Sequence, residues 1–167
     1  MKIIYVDMDG VLCNFDKAFK SKYGALTREL NEKDKRTSWN DFINNGGFAT
    51  LEWFDGGQEL VDFLNSLTNI QKCILSSAGG FDRHRDVMSQ KLSWLSANDV
   101  KWPAVIVPGR KYKAGFANGN SFMIDDTPDV IKSFCANGGN GCLHTDAKVT
   151  IDVIRKWISP VHSTPWM

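Results

Sequence analysis

Two aspartates, two positions apart at the end of an apolar run, are where this 167-residue sequence first offers chemistry. The stretch Ile3-Ile4-Tyr5-Val6-Asp7-Met8-Asp9-Gly10-Val11-Leu12 begins rich in β-branched residues and reads as a buried parallel strand. Residues i and i+2 of an extended chain share a face, so Asp7 and Asp9 are expected to leave the strand pointing roughly the same way. Two like charges that close are costly unless a cation lies between them or one holds a proton. A hard divalent ion with oxygen ligands, Mg²⁺, resolves the repulsion. Gly10 lets the chain turn and brings its amide close to an anion. Alone, the pattern also fits a strand ending in a solvated Asp-x-Asp-Gly turn.

The rest of the chain supplies partners for those carboxylates. Residues 70–75 read as a second strand, ending in Ser76-Ser77-Ala78-Gly79-Gly80. Residues 104–107 read as a third, closed by Pro108-Gly109 and followed by the basic loop Arg110-Lys111-Tyr112-Lys113. A fourth, residues 121–124, runs into Asp125-Asp126, and residues 141–144 can make a fifth, with His144 read as structural. Amphipathic helices are expected between them. Their apolar positions are Phe15, Phe19 and Tyr23; Leu60, Val61, Phe63, Leu64 and Leu67; Val87, Met88, Leu92 and Leu95; Val130, Ile131, Phe134 and Cys135; and Val149, Val153, Ile154, Trp157 and Ile158. Thr127-Pro128 marks a helix start by an N-cap and a proline at the first position.

Residues 25–36 are strongly charged and read as a solvated helix or loop, before a short helix that Thr37 begins. Phe48, Leu51, Trp53 and Phe54 then crowd into seven residues and need somewhere to pack. A small helical unit over residues 16–55, inserted into a core built from 1–15 and 56–167, accommodates them. Alternating strands and helices predict a parallel sheet with helices on both faces. Ligands bind such sheets beyond the carboxyl ends of the strands. Asp7/Asp9, Ser76/Ser77 and Asp125/Asp126 all follow a strand at that end.

Together these groups can perform phosphoryl transfer. A metal held by Asp7, Asp125 and nearby backbone makes phosphorus electrophilic, and Asp7 can attack it. Asp9 can protonate the leaving alkoxide and later deprotonate water. Ser76 offers a hydroxyl, Gly10 and Ser77 offer amides, and a lysine of the 110–113 loop offers charge to the equatorial oxygens.

In order and strand context, Asp7-Met8-Asp9-Gly10-Val11-Leu12, the strand ending at Ser76, the basic loop and Ile124-Asp125-Asp126 resemble the four motifs of haloacid-dehalogenase-superfamily phosphatases. Finer likeness is to the 5'(3')-deoxyribonucleotidase-like branch. It rests on Phe48-Ala49-Thr50-Leu51-Glu52 with Gly56-Gly57, on Ser76-Ser77, on Lys91-Leu92-Ser93-Trp94-Leu95, and on Ile124-Asp125-Asp126-Thr127-Pro128. The sequence departs from the branch in Ser76, where threonine is commoner, and in Ala78-Gly79-Gly80, where a proline is usual.

The resemblance implies a three-layer Rossmann-like α/β core with a small helical cap inserted after the first strand. It also implies a Mg²⁺-dependent phosphomonoesterase acting on nucleoside monophosphates. By it Asp7 is nucleophile and metal ligand, Asp9 is acid/base with its carbonyl on the metal, and Asp125 completes the metal site. Ser76 binds phosphate and a lysine neutralises it. Lys113 is favoured over Lys111, because Lys113 to Ala117 resembles the start of that motif's helix. Asp126 orients the metal's water or the lysine. Phe15 matches a base-contacting aromatic, and Phe48, Trp53 and Phe54 are candidates to stack a nucleobase. Arg83-His84-Arg85 reads as a solvated helix face.

Composition sets bounds on partners. Apolar residues make up 43% and charged residues 23%, an ordinary globular balance. A net charge of +1 argues against an extended nucleic-acid or membrane surface, though not against a pocket for one phosphate. Cys13, Cys73, Cys135 and Cys142 lack metal-ligand spacing and suit a reducing cytoplasm. The three histidines are too scattered for a zinc site. No leader peptide or membrane-spanning helix is expected. A small phosphate ester is the partner implied; a sugar phosphate or a polynucleotide 3'-phosphate also fits the chemistry, and a non-catalytic binding module would have lost a reactive residue.

Overall fold

The computed structural model describes residues 1–159; Pro160, expected to stop the last helix, and His162 lie outside them. Five strands, β1 (Ile3–Val6), β2 (Gln71–Ser77), β3 (Ala104–Val107), β4 (Ser121–Asp125) and β5 (Asn140–Leu143), form one sheet in the order β3-β2-β1-β4-β5. Every neighbouring pair is parallel, with Val6 opposite both Ile74 and Ile124. Crossovers run through α3 (Gly57–Ser66), α4 (His84–Ala97), a 3₁₀ segment Arg110–Phe116, α5 (Pro128–Ala136) and, after β5, α6 (Ala147–Ile158). Between β1 and α3 lie α1 (Phe15–Tyr23) and α2 (Glu32–Asn44), with short 3₁₀ turns at Thr27–Glu29 and Gly47–Ala49.

Strand alternation sorts the core into two layers. Ile4, Val6, Ile74, Phe122 and Ile124 join Leu60 and Leu64 of α3, Trp94 of α4 and Ile154 of α6. Phe19, Phe42 and Phe48 extend that same cluster into the segment between β1 and α3. On the other face Leu75, Val107 and Met123 pack against Val130 and Phe134 of α5. The fold is therefore the α/β parallel sheet with helices on both faces that the alternating pattern predicts. Among the described residues no helix is long and apolar enough to cross a membrane.

Three local expectations are corrected. Residues 32–44 form one continuous helix, because Asn31 accepts a hydrogen bond from the Asp34 amide as its N-cap. Thr37, expected to cap, lies inside that helix and donates its hydroxyl to the Lys33 carbonyl. On α4 the inward face is Val87, Lys91, Trp94 and Leu95, while Leu92 is 43% exposed. The ammonium of Lys91 finds partners inside, which rotates the helix away from its apolar pattern. On α6 the exposed Val149 yields the inward face to Ala147, Thr150, Ile151 and Ile154.

Trp94 ties residues 51–53, just ahead of α3, to the sheet core. It is fully buried, its indole N–H donates to the Leu51 carbonyl at 2.7 Å, and its ring meets Trp53 edge-on at 4.9 Å. Trp94→Ala is expected to destabilise the protein by about 3–5 kcal/mol in urea titration. Trp94→Phe, which keeps most of the volume but strands a buried carbonyl, costs about 1–3 kcal/mol.

Candidate active site

β1 ends at Val6, and the next seven residues are organised by one carbonyl. The Met8 oxygen accepts from the amides of Val11, Leu12 and Cys13 at 3.1, 2.8 and 3.0 Å. Gly10 holds a positive φ of 76° within that turn, and a Cβ there would collide with the Asp126 carboxylate. The chain is thus no longer extended between Asp7 and Asp9, and the two carboxylates are handled separately.

Each has its own buried ammonium. Lys113 Nζ lies 3.0 Å from Asp7 Oδ1 and 2.6 Å from Asp125 Oδ2. Lys91 Nζ donates to Asp9 Oδ2 at 2.7 Å, to Ser76 Oγ at 2.8 Å and to the Ser77 carbonyl at 2.9 Å. These lysines are only 2% and 1% exposed. Burial works to lower the pKa of Lys113, but Asp7 and Asp125 more than offset it and hold the ammonium above its ordinary range. Lys111 instead turns to the Tyr112 ring, 5.2 Å away. Lys113 is therefore the loop lysine that faces the carboxylates.

A second imbalance points to a metal. Asp7, Asp125 and Asp126 each bring an oxygen within 4.8 Å of the others. Lys113 alone cannot neutralise three carboxylates. Burial and the nearby Asp7 push Asp125 up despite its bond to Lys113. Asp126 keeps solvent contact at residue level, yet its carboxylate is wedged beside Gly10. Loss of hydration, then repulsion from Asp7 and Asp125, pushes it up to about 7. An all-oxygen, charge-rich set of this kind fits a hard divalent cation such as Mg²⁺. The Asp9 carboxylate, engaged by Lys91, is outside this set, and Asp126 stands within it.

These groups form the floor of a cleft of about 750 Å³. Of the residues expected at a site, Asp7, Asp9, Gly10, Phe15, Ser76, Ser77 and Lys113 line it, while Asp125 lies fully buried beneath. Phe48 does not line the cleft: it is 1% exposed and stacks on Phe15 with ring centroids 5.4 Å apart. Its expected role in substrate contact is corrected to packing, since Phe15, Trp39 and Phe42 enclose it. Trp53 is also taken up in packing, whereas Phe54 does border the cleft.

The structure adds residues that sequence reasoning left out. Lys91 could have been found as a lysine on the apolar face of an amphipathic helix. Trp39 and Arg28 reach the cleft from the segment between β1 and α3, Asn14 from the N-cap of α1, and His144, read as structural, borders it as well. Arg83 is not a solvated side chain but bonds Asn40 and Asn44 of α2 at 3.3 and 2.9 Å. Gln90 completes the junction through the Ile43 carbonyl and the Phe48 amide.

The sequence matches no protein-family model and no curated protein. Solved structures do match it. A hydrolase from Streptococcus pneumoniae TIGR4 is 15% identical with a TM-score of 0.56, over 93% of this chain and 100% of that one. A haloacid-dehalogenase-like family hydrolase from Streptococcus pneumoniae is 12% identical with a TM-score of 0.56, over 84% and 83%. A haloacid-dehalogenase-like hydrolase from Burkholderia xenovorans LB400 is 13% identical with a TM-score of 0.52, over 81% and 77%. At such identities the likeness is one of fold: the chain has the Rossmann-like core of these proteins.

Crowding of like charges around Asp126 generates a signed prediction. In mildly alkaline, metal-free buffer Asp126→Asn is expected to raise the Tm, because it removes a repelled carboxylate. Added Mg²⁺ is expected to raise the Tm of the wild type, by an amount set by mass action, and to raise that of Asp126→Asn less. Thermal melts with and without Mg²⁺ read both effects.

Proposed function

We propose that this chain is a Mg²⁺-dependent phosphomonoesterase acting through an aspartyl-phosphate, with nucleoside 5'- or 3'-monophosphates, deoxy or ribo, as its substrates. The observation that carries the reading is the division of labour on the cleft floor. Asp7 shares an ammonium with a three-carboxylate cluster, and Asp9 shares a different one with Ser76. In this reading residues 16–55 serve as a cap over a core of residues 1–15 and 56–167. Four free cysteines suit work in the cytoplasm.

The residues take the following parts. Lys113 holds Asp7 Oδ1, which leaves Oδ2 to attack phosphorus as the bond to the alcohol oxygen breaks. Asp9 delivers a proton to that oxygen, then takes one from the water that cleaves the acyl phosphate, releasing phosphate and restoring Asp7. Lys91 occupies Asp9 Oδ2, so the proton passes at Oδ1. Because Ser76 Oγ accepts from Lys91, its own hydrogen is left for a phosphate oxygen. The amide of Ser77 and the ammonium of Lys113 complete the cradle for the equatorial oxygens; the Gly10 N–H, expected to join them, instead donates to the Cys13 carbonyl at 2.9 Å and holds the turn. Asp7, Asp125 and Asp126 would hold Mg²⁺, with the Asp9 carbonyl as a further ligand by resemblance. When bound, the ion supplies the positive charge that three carboxylates and a phosphate dianion require.

A nucleoside monophosphate is the favoured substrate because the cleft is large enough for one. Phe15, Trp39 and Phe54 lend it flat apolar wall beside the polar floor.

The test is phosphate release from ribo- and 2'-deoxynucleoside 5'- and 3'-monophosphates, pentose phosphates and a 3'-phosphorylated oligonucleotide, with Mg²⁺ or EDTA. Turnover is expected with Mg²⁺ on the nucleotides, and EDTA or Asp7→Asn is expected to reduce it to background. Lys91→Met is expected to lower kcat about 10²- to 10³-fold with little change in KM, the scale of a misaligned acid/base. Turnover confined to the pentose phosphates or the oligonucleotide removes the nucleotidase reading and keeps the chemistry.

A further inference from the structure

His144 follows β5 directly and is tied to the floor of the cleft, its backbone amide donating to the Asp125 carbonyl at 2.8 Å. The side chain is buried, 3% exposed, and it lines the cleft with Phe54 and Thr127. Nδ1 lies 2.8 Å from the hydroxyl of Thr150, a buried residue of α6. Nε2 is buried too, and among the described residues it has no hydrogen-bond partner. A buried polar atom left unpaired is costly and calls for a reason.

Geometry supplies one. The two nitrogens of an imidazole point in nearly opposite directions, so a ring anchored to α6 through Nδ1 turns Nε2 away from α6. Phe54, half-buried and also lining the cleft, is edge-on to the imidazole with centroids 6.0 Å apart. Nothing in the phosphoryl transfer derived above uses His144.

The chemistry of the ligand follows from the hydrogen bond at the other nitrogen. The Thr150 hydroxyl can donate to Nδ1 or accept from it, so Nε2 is free to be either donor or acceptor. A hydroxyl answers both forms, whereas an anion answers only one. Neutral polar groups stand nearby on the cleft wall: the Thr127 hydroxyl, and the Asn14 amide, whose oxygen is held by the Lys17 N–H.

We propose that His144 Nε2 binds a hydroxyl of the leaving alcohol and so tunes the cleft to phosphate esters of polyhydroxylated alcohols such as pentoses and nucleosides. This rests on the phosphatase reading and adds a specificity-determining residue to it.

The experiment compares ribose 5-phosphate with tetrahydrofurfuryl phosphate, the same ring without hydroxyls, in wild type, His144→Asn and His144→Gln. p-Nitrophenyl phosphate is the general reporter. The wild type is expected to show a KM about 3- to 10-fold lower for ribose 5-phosphate, the scale of one hydrogen bond. His144→Asn keeps an amide near Nδ1 and loses Nε2, so it is expected to raise KM for ribose 5-phosphate alone and erase the preference. His144→Gln carries its amide toward Nε2 and is expected to retain it. A purely structural histidine gives the reverse order, with Asn tolerated, Gln not, and both esters affected alike. That result, or a wild type that hydrolyses all three esters without preference, overturns the inference and leaves the phosphatase reading intact. A wild type that hydrolyses none of them overturns both.

Discussion

Four carboxylates share one small cleft floor, and the rest of the structure is arranged around neutralising them. Two buried ammonium groups do most of it, and neither lysine could be buried without its carboxylates. The dependence runs both ways, because removing a lysine leaves its aspartates repelling one another in a poorly hydrated place. Lys113 comes from the segment after β3, and Lys91 from the helix after β2. The charges of β1 are therefore satisfied only when two separate crossovers have docked. Electrostatics at the site and assembly of the sheet are one constraint.

The two neutralisations are unequal, and the inequality separates two tasks. On one side a single ammonium pairs with Asp7 and Asp125 while Asp126 stands beside them, which leaves a surplus of negative oxygen suited to a divalent cation. On the other a single ammonium serves a single carboxylate together with a hydroxyl and a carbonyl, a balanced set with every donor used. The proposed function places cation binding on the first side and proton transfer on the second. Residues only two apart in the chain reach such different settings because the turn around Met8 breaks the extended backbone between them.

Much of this was legible in the sequence. β-Branched runs ending in polar residues identify the strands, and the rule that ligands gather beyond their carboxyl ends groups Asp7, Asp9, Ser76, Ser77 and Asp125 correctly. What periodicity cannot supply is the distant partner that lets a charged side chain face inward. Lys91, four residues from both Val87 and Leu95, falls on the apolar face by spacing, but its partner Asp9 is 82 residues away, and Leu92, read as core, is exposed. Aromatic residues fail for a related reason. Phe15 and Phe48 are indistinguishable by type, yet one faces the cleft and the other lies behind it, a difference settled by how α1 and α2 pack. His144 looks inert in sequence because its neighbours there, Leu143 and Thr145, say nothing of the cleft that the β4–β5 pairing brings beside it.

α4 carries Lys91 and, beside it, Gln90, which bonds the Ile43 carbonyl and the Phe48 amide, while Arg83 at its N-cap bonds Asn40 and Asn44 of α2. Roof and floor of the cleft thus hang from a single rod. The segment between β1 and α3 and the Asp9–Ser76 pair are therefore not independent, because a change in how α2 seats on α4 is transmitted to the helix that carries Lys91.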